Sequence, residues 1–474
     1  MRKILLCALF AAVAALPAGA QVIDIHGVLV EPRHPTTSDR IRLTVIGVEG
    51  CPLTFHAPTQ RALSNWMDIR VVPAGGVWPA KDWQDCAKLP AYRDFRHTFE
   101  IDPLPAGEHV VMVYLDGYHW PNPDLNWREV FEVREDDGQL QLGQGDDFQA
   151  SVRWSNPRDG SSGTGHAERM GRDSGAFWFF SPDNLEVTLK ILDGRAINGR
   201  WWVFIASMTD LQFEVGISRA GGPAKTYVQT AGANRNFIDV NASFEEGPPQ
   251  PVCGPSNSGL EISLDPERPT AADPVHVEVS VCNPWPTLTY DGIEGNRILF
   301  NELSWGWPSG GPPPPPSLRF TAEATAGPLA PGIYAIDFRL DKEHWLARTF
   351  EVTPASPALH LQNAGDRFDI EVSYRLPGQA GFTAAPAVPL TRDAGYFYFF
   401  DPGNVEVTAK IVDGRSLNEH WWVFLANMTT VELQIEVTHC PPDAPPAYCI
   451  TRTYVQPPGQ NRNFLDTSTF FGEL

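Results

Sequence analysis

The chain is short of positive charge. Its 36 Lys and Arg face 57 Asp and Glu, a formal net charge of −21. Removing Arg2 and Lys3 with the first twenty residues takes this to −23 (−21 − 2). An acidic surface repels phosphate backbones, which excludes a nucleic-acid partner and disfavours anionic lipid headgroups. Beyond the N-terminus no segment is apolar enough to insert in a membrane as a helix. There is no C-x-x-C pair, no cysteine followed by His at zinc spacing and no EF-hand loop. No cofactor is implied. No long stretch carries helical periodicity either, and short alternating runs take its place. The fold class read from this pattern is all-β.

Residues 1–20 have the form of a secretory signal. Arg2 and Lys3 precede an apolar run over residues 4–16, and Ala18-Gly19-Ala20 supplies an A-x-A cleavage site. Leu6 stands before Cys7 where a lipidation site wants a small residue, so the lipoprotein reading is rejected. The expected product begins at Gln21 and is exported, periplasmic or extracellular. Six cysteines then remain, Cys51, Cys86, Cys253, Cys282, Cys440 and Cys449. An even number in an oxidising compartment reads as disulfides, and the placement favours local pairs.

The strongest signal is repetition. RDSGAFWFFSPDNLEVTLKILDGRAINGRWWVF from Arg172 returns as RDAGYFYFFDPGNVEVTAKIVDGRSLNEHWWVF from Arg392, at a constant spacing of 220 residues (392 − 172). Within it Val187, Leu189 and Ile191 alternate with Glu186, Thr188 and Lys190, which predicts a half-buried strand with a solvent-facing Glu-Thr-Lys row. Val407, Ala409 and Ile411 repeat it, and Asp193-Gly194 and Asp413-Gly414 supply turns. The duplication reaches upstream more faintly: PTTSDRIRLTVIG from Pro35 matches PTAADPVHVEVSV from Pro269.

Six segments follow: a leader 1–20, an immunoglobulin-like sandwich 21–134, a β module 139–246, a Pro/Gly linker 247–256, a second immunoglobulin-like sandwich 257–353 and a second β module 358–474. Tandem β-sandwiches on short Pro-rich joints predict an elongated, semi-rigid rod. The Pro-Thr-x-x-Asp opening and the late Leu-x-x-Gly step, without antibody-type Cys…Trp…Cys spacing, resemble bacterial immunoglobulin-like modules of exported proteins. Phe179, Phe180, Asn184, Glu186, Lys190, Asp193, Gly194, Asn198, Trp202, Val203, Phe204 and Tyr227 carry a second likeness. With their counterparts from Phe399 to Tyr454, they resemble a β domain of unknown function that recurs in large exported bacterial proteins, notably acidobacterial ones. That resemblance implies export and a β fold, and no mechanism.

A site needed by both copies should survive in both. The polar residues shared by the β modules contain no His, Cys or Ser, so a Ser-His-Asp or Cys-His device has no candidate. Glu186 and Asp193 remain as a formal carboxylate pair for glycoside cleavage, against a plain strand-and-turn role. Asn-Arg-Asn-Phe at 234–237 and 461–464 suits a turn, or an arginine grip on a carboxylate. Asp136-Asp137 and Asp146-Asp147 are the sole candidates for calcium at a module joint.

Fifteen Trp is high for this length, and they divide. One of Trp201-Trp202 and one of Trp421-Trp422 point inward, while Phe177 to Phe180 put one face in the core and the other against a neighbouring module. Trp78, Trp83, Trp120, Trp127, Trp305 and Trp307 lie in Gly/Pro-rich loops, where aromatics stack on sugars, anchor a protein partner or lid the sandwich. The reading is a non-enzymatic exported modular protein that binds a protein or polysaccharide through these residues. The alternatives are a carboxylate-dependent glycan-active enzyme or its accessory chain, and a structural spacer. Oligomeric state is open.

Overall fold

The computed structural model describes residues 23–49, 53–60, 65–73, 93–115, 127–143, 147–244, 261–283, 287–303, 318–340, 343–363, 365–442 and 448–471. The chain is all-β. The first leading segment supplies β1 (Ile23–Glu31), β2 (Ile41–Glu49), β3 (Leu53–Phe55), β4 (Thr59–Gln60), β5 (Trp66–Pro73), β6 (Arg93–Ile101), β7 (Gly107–Leu115) and β8 (Trp127–Val133). The first repeat follows as β9 (Gln139–Leu142), β10 (Phe148–Ser155), β11 (Ser162–Thr164), β12 (His166–Arg169) and β13 (Ser174–Trp178). It continues through β14 (Leu185–Gly194), β15 (Arg200–Ser207), β16 (Gln212–Arg219), β17 (Lys225–Gln229) and β18 (Phe237–Ala242).

The second half copies this order. Its leading segment gives β19 (Glu261–Asp265), β20 (Val275–Asn283), β21 (Thr287–Glu294), β22 (Arg297–Leu303), β23 (Leu318–Ala326), β24 (Gly332–Leu340) and β25 (Glu343–Val352). The second repeat begins with β26 (Ala358–Asn363), β27 (Asp366–Arg375), β28 (Thr383–Ala384), β29 (Ala387–Pro389) and β30 (Ala394–Tyr398). It ends with β31 (Val405–Asp413), β32 (His420–Asn427), β33 (Glu432–Cys440), β34 (Ile450–Gln456) and β35 (Phe464–Phe471).

Each repeat is a two-layer sandwich. In the first, the sheet β11-β10-β16-β17 packs on β12-β13-β14-β15-β18. Phe148, Ala150 and Val152 meet Val187, Leu189, Ile191, Val203 and Ile205 between them. The apolar half of each alternating run supplies these contacts, because successive strand residues point to opposite faces. The second repeat builds the same core from Phe368, Ile370, Val372, Val407, Ala409 and Ile411.

The chain is not the extended rod that its short joints predict. The two repeats lie face to face, and Met170, Ala176, Leu185, Ala206 and Met208 of the first form one buried cluster with Tyr396, Tyr398, Val405, Ala426 and Met428 of the second. Four sheets therefore stack in layers, and the two inner ones are covered on both faces. This overturns the solvent-facing Glu-Thr-Lys row. Glu186 is 5% exposed, Thr188 0% and Lys190 1%.

The leading segments also join. One nine-stranded sheet runs β21-β22-β24-β25-β8-β7-β5-β3, with β4 on β5. The sheet β1-β2-β6 covers one half of it through Val28, Leu43, Val45, Ile69, Val111 and Val113. The sheet β19-β20-β23 covers the other through Val277, Val279, Phe300, Ile336 and Phe350. The halves meet where β25 pairs in parallel with β8 at Ala347 and Glu129. The faint upstream duplication is real in detail. The Thr36 amide and hydroxyl donate to Asp39 at 2.7 and 2.8 Å, and Thr270 does the same to Asp273 at 2.7 and 2.8 Å.

Candidate functional site

Several of the polar residues kept in both repeats, Asn184, Glu186 and Lys190 with their counterparts, converge on the face between them. The ammonium of Lys190 lies 3.2 Å from Glu406 and donates to Asn404 at 2.8 Å, over the ring of Phe204. The crossed contacts mirror this. Lys410 donates to Asn184 at 2.6 Å and to the Leu185 carbonyl, lies 3.7 Å from Glu186 and sits over Phe424. Asn184 and Asn404 in turn donate to Glu186 and Glu406. Burial pushes the Lys190 ammonium down, opposed by Glu406, and pushes Lys410 down against Glu186. Burial likewise pushes the Glu186 carboxyl up, opposed by Lys410 and its hydrogen-bond donors. Charges removed from water need such partners to stay charged. What the arrangement does is hold two sheets in one register.

The Asn-Arg-Asn segments form a second clasp. Asn236 donates to the Asn427 carbonyl at 2.9 Å and Asn463 to the Ser207 carbonyl at 2.8 Å. The side chains of Asn463 and Asn234 also meet, as do those of Asn236 and Asn461. Arg235 and Arg462 lie over Phe237 and Phe464, with their amides donating to Gln229 and Gln456. Each segment is a turn into the last strand that also reaches across to the other copy. The carboxylate pair does not assemble. Glu186 and Asp193 stand seven residues apart on β14 and so point to opposite faces. Asp193 is held by Arg195 at 2.7 Å and Glu186 is sealed between the repeats.

A third cluster marks the place where all four sandwiches meet. Glu267 bonds His34 at 2.8 Å and Arg169 at 2.8 Å, and its carbonyl accepts from Arg33. Arg268 reaches Glu168 at 3.2 Å and the Leu390 carbonyl at 3.0 Å. Burial opposes ionisation of Glu267, yet His34, Arg169 and Arg348 together hold its carboxyl well below the ordinary range. Burial pushes Glu168 up to about 6 despite Arg268. At the neighbouring seam Glu129 accepts from the Thr349 amide and hydroxyl at 2.6 and 2.6 Å and from Trp127 Nε1 at 2.9 Å. Burial raises that carboxyl to about 7, against the pull of these donors and Arg348. Gly27 permits the close approach, since a Cβ there would overlap the Thr349 side chain.

Of the six loop tryptophans, Trp127 alone falls among the described residues. It opens β8, is 3% exposed and contributes to the core, so its ring is not offered to a ligand. Trp78, Trp83, Trp120, Trp305 and Trp307 lie outside the described residues. The strands that lead to them are described, and their directions are informative. β22 is parallel to β24, β24 antiparallel to β25, β25 parallel to β8, β8 antiparallel to β7, and β7 parallel to β5. β5, β7, β22 and β24 therefore all run the same way. Their C-terminal ends are nearly level, with Val71 opposite Leu115, Val113 opposite Trp127 and Glu302 opposite Leu340. In the sequence these strand ends, Pro73 of β5, Leu115 of β7 and Leu303 of β22, are followed by the segments that carry Trp78 and Trp83, Trp120, and Trp305 and Trp307. From β22 to β5 the row spans about 24 Å before twist, five strand spacings.

The paired tryptophans split as alternation requires. Trp201 and Trp421 turn inward, edge-on to Phe148 and Phe368. Trp202 and Trp422 stay half-buried on the opposite face, with Nε1 bonded to Asn198 and Asn418. Each lies so close over Gly194 or Gly414 that a Cβ would overlap the indole. One cysteine pair is seen: Cys440 and Cys449 form a disulfide of 2.02 Å. Cys51, Cys86 and Cys253 lie outside the described residues, as does the side chain of Cys282. Asp136 bonds His166 at 3.0 Å, Asp147 meets Arg219 at 3.5 Å, and Asp146 lies outside the described residues. Among the described residues no group of three or more His, Cys, Asp or Glu is placed to hold a metal ion, and no helix is long and apolar enough to cross a membrane. Comparison with protein-family models, curated proteins and solved structures finds no match to this chain.

Proposed function

We propose that the chain is an exported, non-enzymatic binding protein that engages a macromolecular partner through the aromatic segments at one end of its shared sheet. The observation that carries this reading is the common direction of β5, β7, β22 and β24. It turns the C-terminal ends of strands from both halves to one edge of the sheet, and in the sequence the tryptophan-bearing segments follow β5, β7 and β22. Shared residues such as Lys190, Glu186, Asn184 and Asn236, by contrast, are spent on pairing the halves. The repeats then act as a rigid base, and the leading sandwiches, read as immunoglobulin-like modules, as the presenting arm.

The partner is a neutral polysaccharide or an exported protein. A chain at −21 discourages a polyanion, and an indole face suits either of the other two. The leader sequence and the Cys440–Cys449 disulfide support an oxidising compartment, periplasmic or extracellular. The test compares the mature protein with a variant carrying Trp78, Trp83, Trp305 and Trp307 as Ala on arrays of glycans and exported proteins. The expected result is a specific signal that falls at least tenfold in the variant with no change in melting temperature. An equal signal from both proteins would remove these segments from the account.

A further inference from the structure

The crossed lysine, glutamate and asparagine contacts between the repeats occur twice with the copies exchanged. Lys190 with Glu406 is answered by Lys410 with Glu186, and Lys190 with Asn404 by Lys410 with Asn184. Asn236 on the Asn427 carbonyl is answered by Asn463 on the Ser207 carbonyl. Reciprocity of this kind is the geometry of an isologous two-fold interface, the arrangement by which identical subunits pair. Where the copies differ, the differences are complementary. Small Ala176 stands where the second copy has Tyr396, whose hydroxyl reaches the Met170 carbonyl of the first. The contacts thus favour first copy on second copy, and nothing in them requires both to come from one chain. Among the described residues the halves 23–244 and 261–471 are joined covalently only through the chain between Phe244 and Glu261.

We propose that this face is an exchange interface whose fitting partner is a second copy of this chain. Two chains dock reciprocally, the first half of each on the second half of the other. All the contacts described above are kept, including the β8–β25 seam and the Glu267 cluster. The tether favours the single-chain pairing at low concentration, because it sets an effective concentration on the order of mM. The crossed lysines and glutamates fix which faces can pair, since like charges facing each other in a buried site are strongly disfavoured.

The test uses two full-length variants, Glu186→Lys/Lys190→Glu and Glu406→Lys/Lys410→Glu. Each alone sets Glu against Glu and Lys against Lys within its own chain. Together their charges match across chains. The expected result is a complex of twice the chain mass, holding one chain of each kind, on mixing differently tagged variants at micromolar concentration. The variant with all four substitutions should return to a single-chain species. A mixture without the two-variant complex, while the fourfold variant is folded and monomeric, overturns the proposal. A second measurement needs no substitution: two tagged populations of the natural chain are unfolded and refolded together at about 1 mM, the scale of the tether's effective concentration. Mixed-tag dimers with native spectra support exchange. Monomers alone, at every concentration, overturn it.

Discussion

Lys410 is 2% exposed, and its hydrogen-bond and ion-pair partners, Asn184, the Leu185 carbonyl and Glu186, belong to the other repeat. Replacing it by Met should cost about 3–5 kcal/mol, because Glu186 is left buried without its cation. Adding Glu186→Leu should recover most of that loss, since a well-packed apolar pair is often no worse than a buried ion pair. Chemical denaturation of the two variants checks this, and equal stability of both would contradict a charge pair at this place. The sequence offered Glu186, Thr188 and Lys190 as a wetted row because charged residues at every second position of a strand usually face water. The available hint lay elsewhere. Both copies keep the same Glu, Thr and Lys at these positions, as Glu406, Thr408 and Lys410, although a free solvent face could drift. Asn184, Asn198 and the Asn-Arg-Asn segments carry the same hint, and each proves to hold a neighbour in place.

Strands were legible one at a time and their distant pairings were not. The alternation over β10, β14 and β31 gives both their existence and their inward faces. The parallel meeting of β8 with β25 joins residues 218 apart (347 − 129) and leaves no local mark. Glu129, at that meeting, gives a measurable consequence. Its folded-state carboxyl is raised to about 7, above the ordinary 4.5. A raised value means that the folded state binds the proton more tightly. The associated stability is therefore complete below pH 4.5 and lost as pH rises through about 7. The natural chain should lose roughly 2–3 kcal/mol relative to Glu129→Gln between pH 5 and pH 8. Urea unfolding of both at the two pH values reads this directly, and a constant difference would show that Glu129 does not titrate there. Trp127 was read as a loop aromatic for the same lack of a local signal. Only the sheet reveals that it opens a core strand and serves Glu129.

At the scale of the whole molecule, duplication was plain in the sequence and its geometry was not. Short Pro-rich joints restrict angles, and from them a row of four modules is the natural expectation. The outer faces decide otherwise. Ala176, Leu185, Ala206 and Met208, with their counterparts, form a second apolar face on sheets whose first is already used by their own sandwich. A face of that kind must be covered, and the other copy covers it. The repeat is thus an internal pair, and pairing brings the leading sandwiches edge to edge in one shared sheet. Small-angle X-ray scattering of the mature chain tests this pairing most directly, at a concentration where forward scattering gives one chain. A folded-back molecule of this size should have a radius of gyration of about 22–28 Å. Four modules in a row would give a value on the order of 40 Å, and that result would contradict the account.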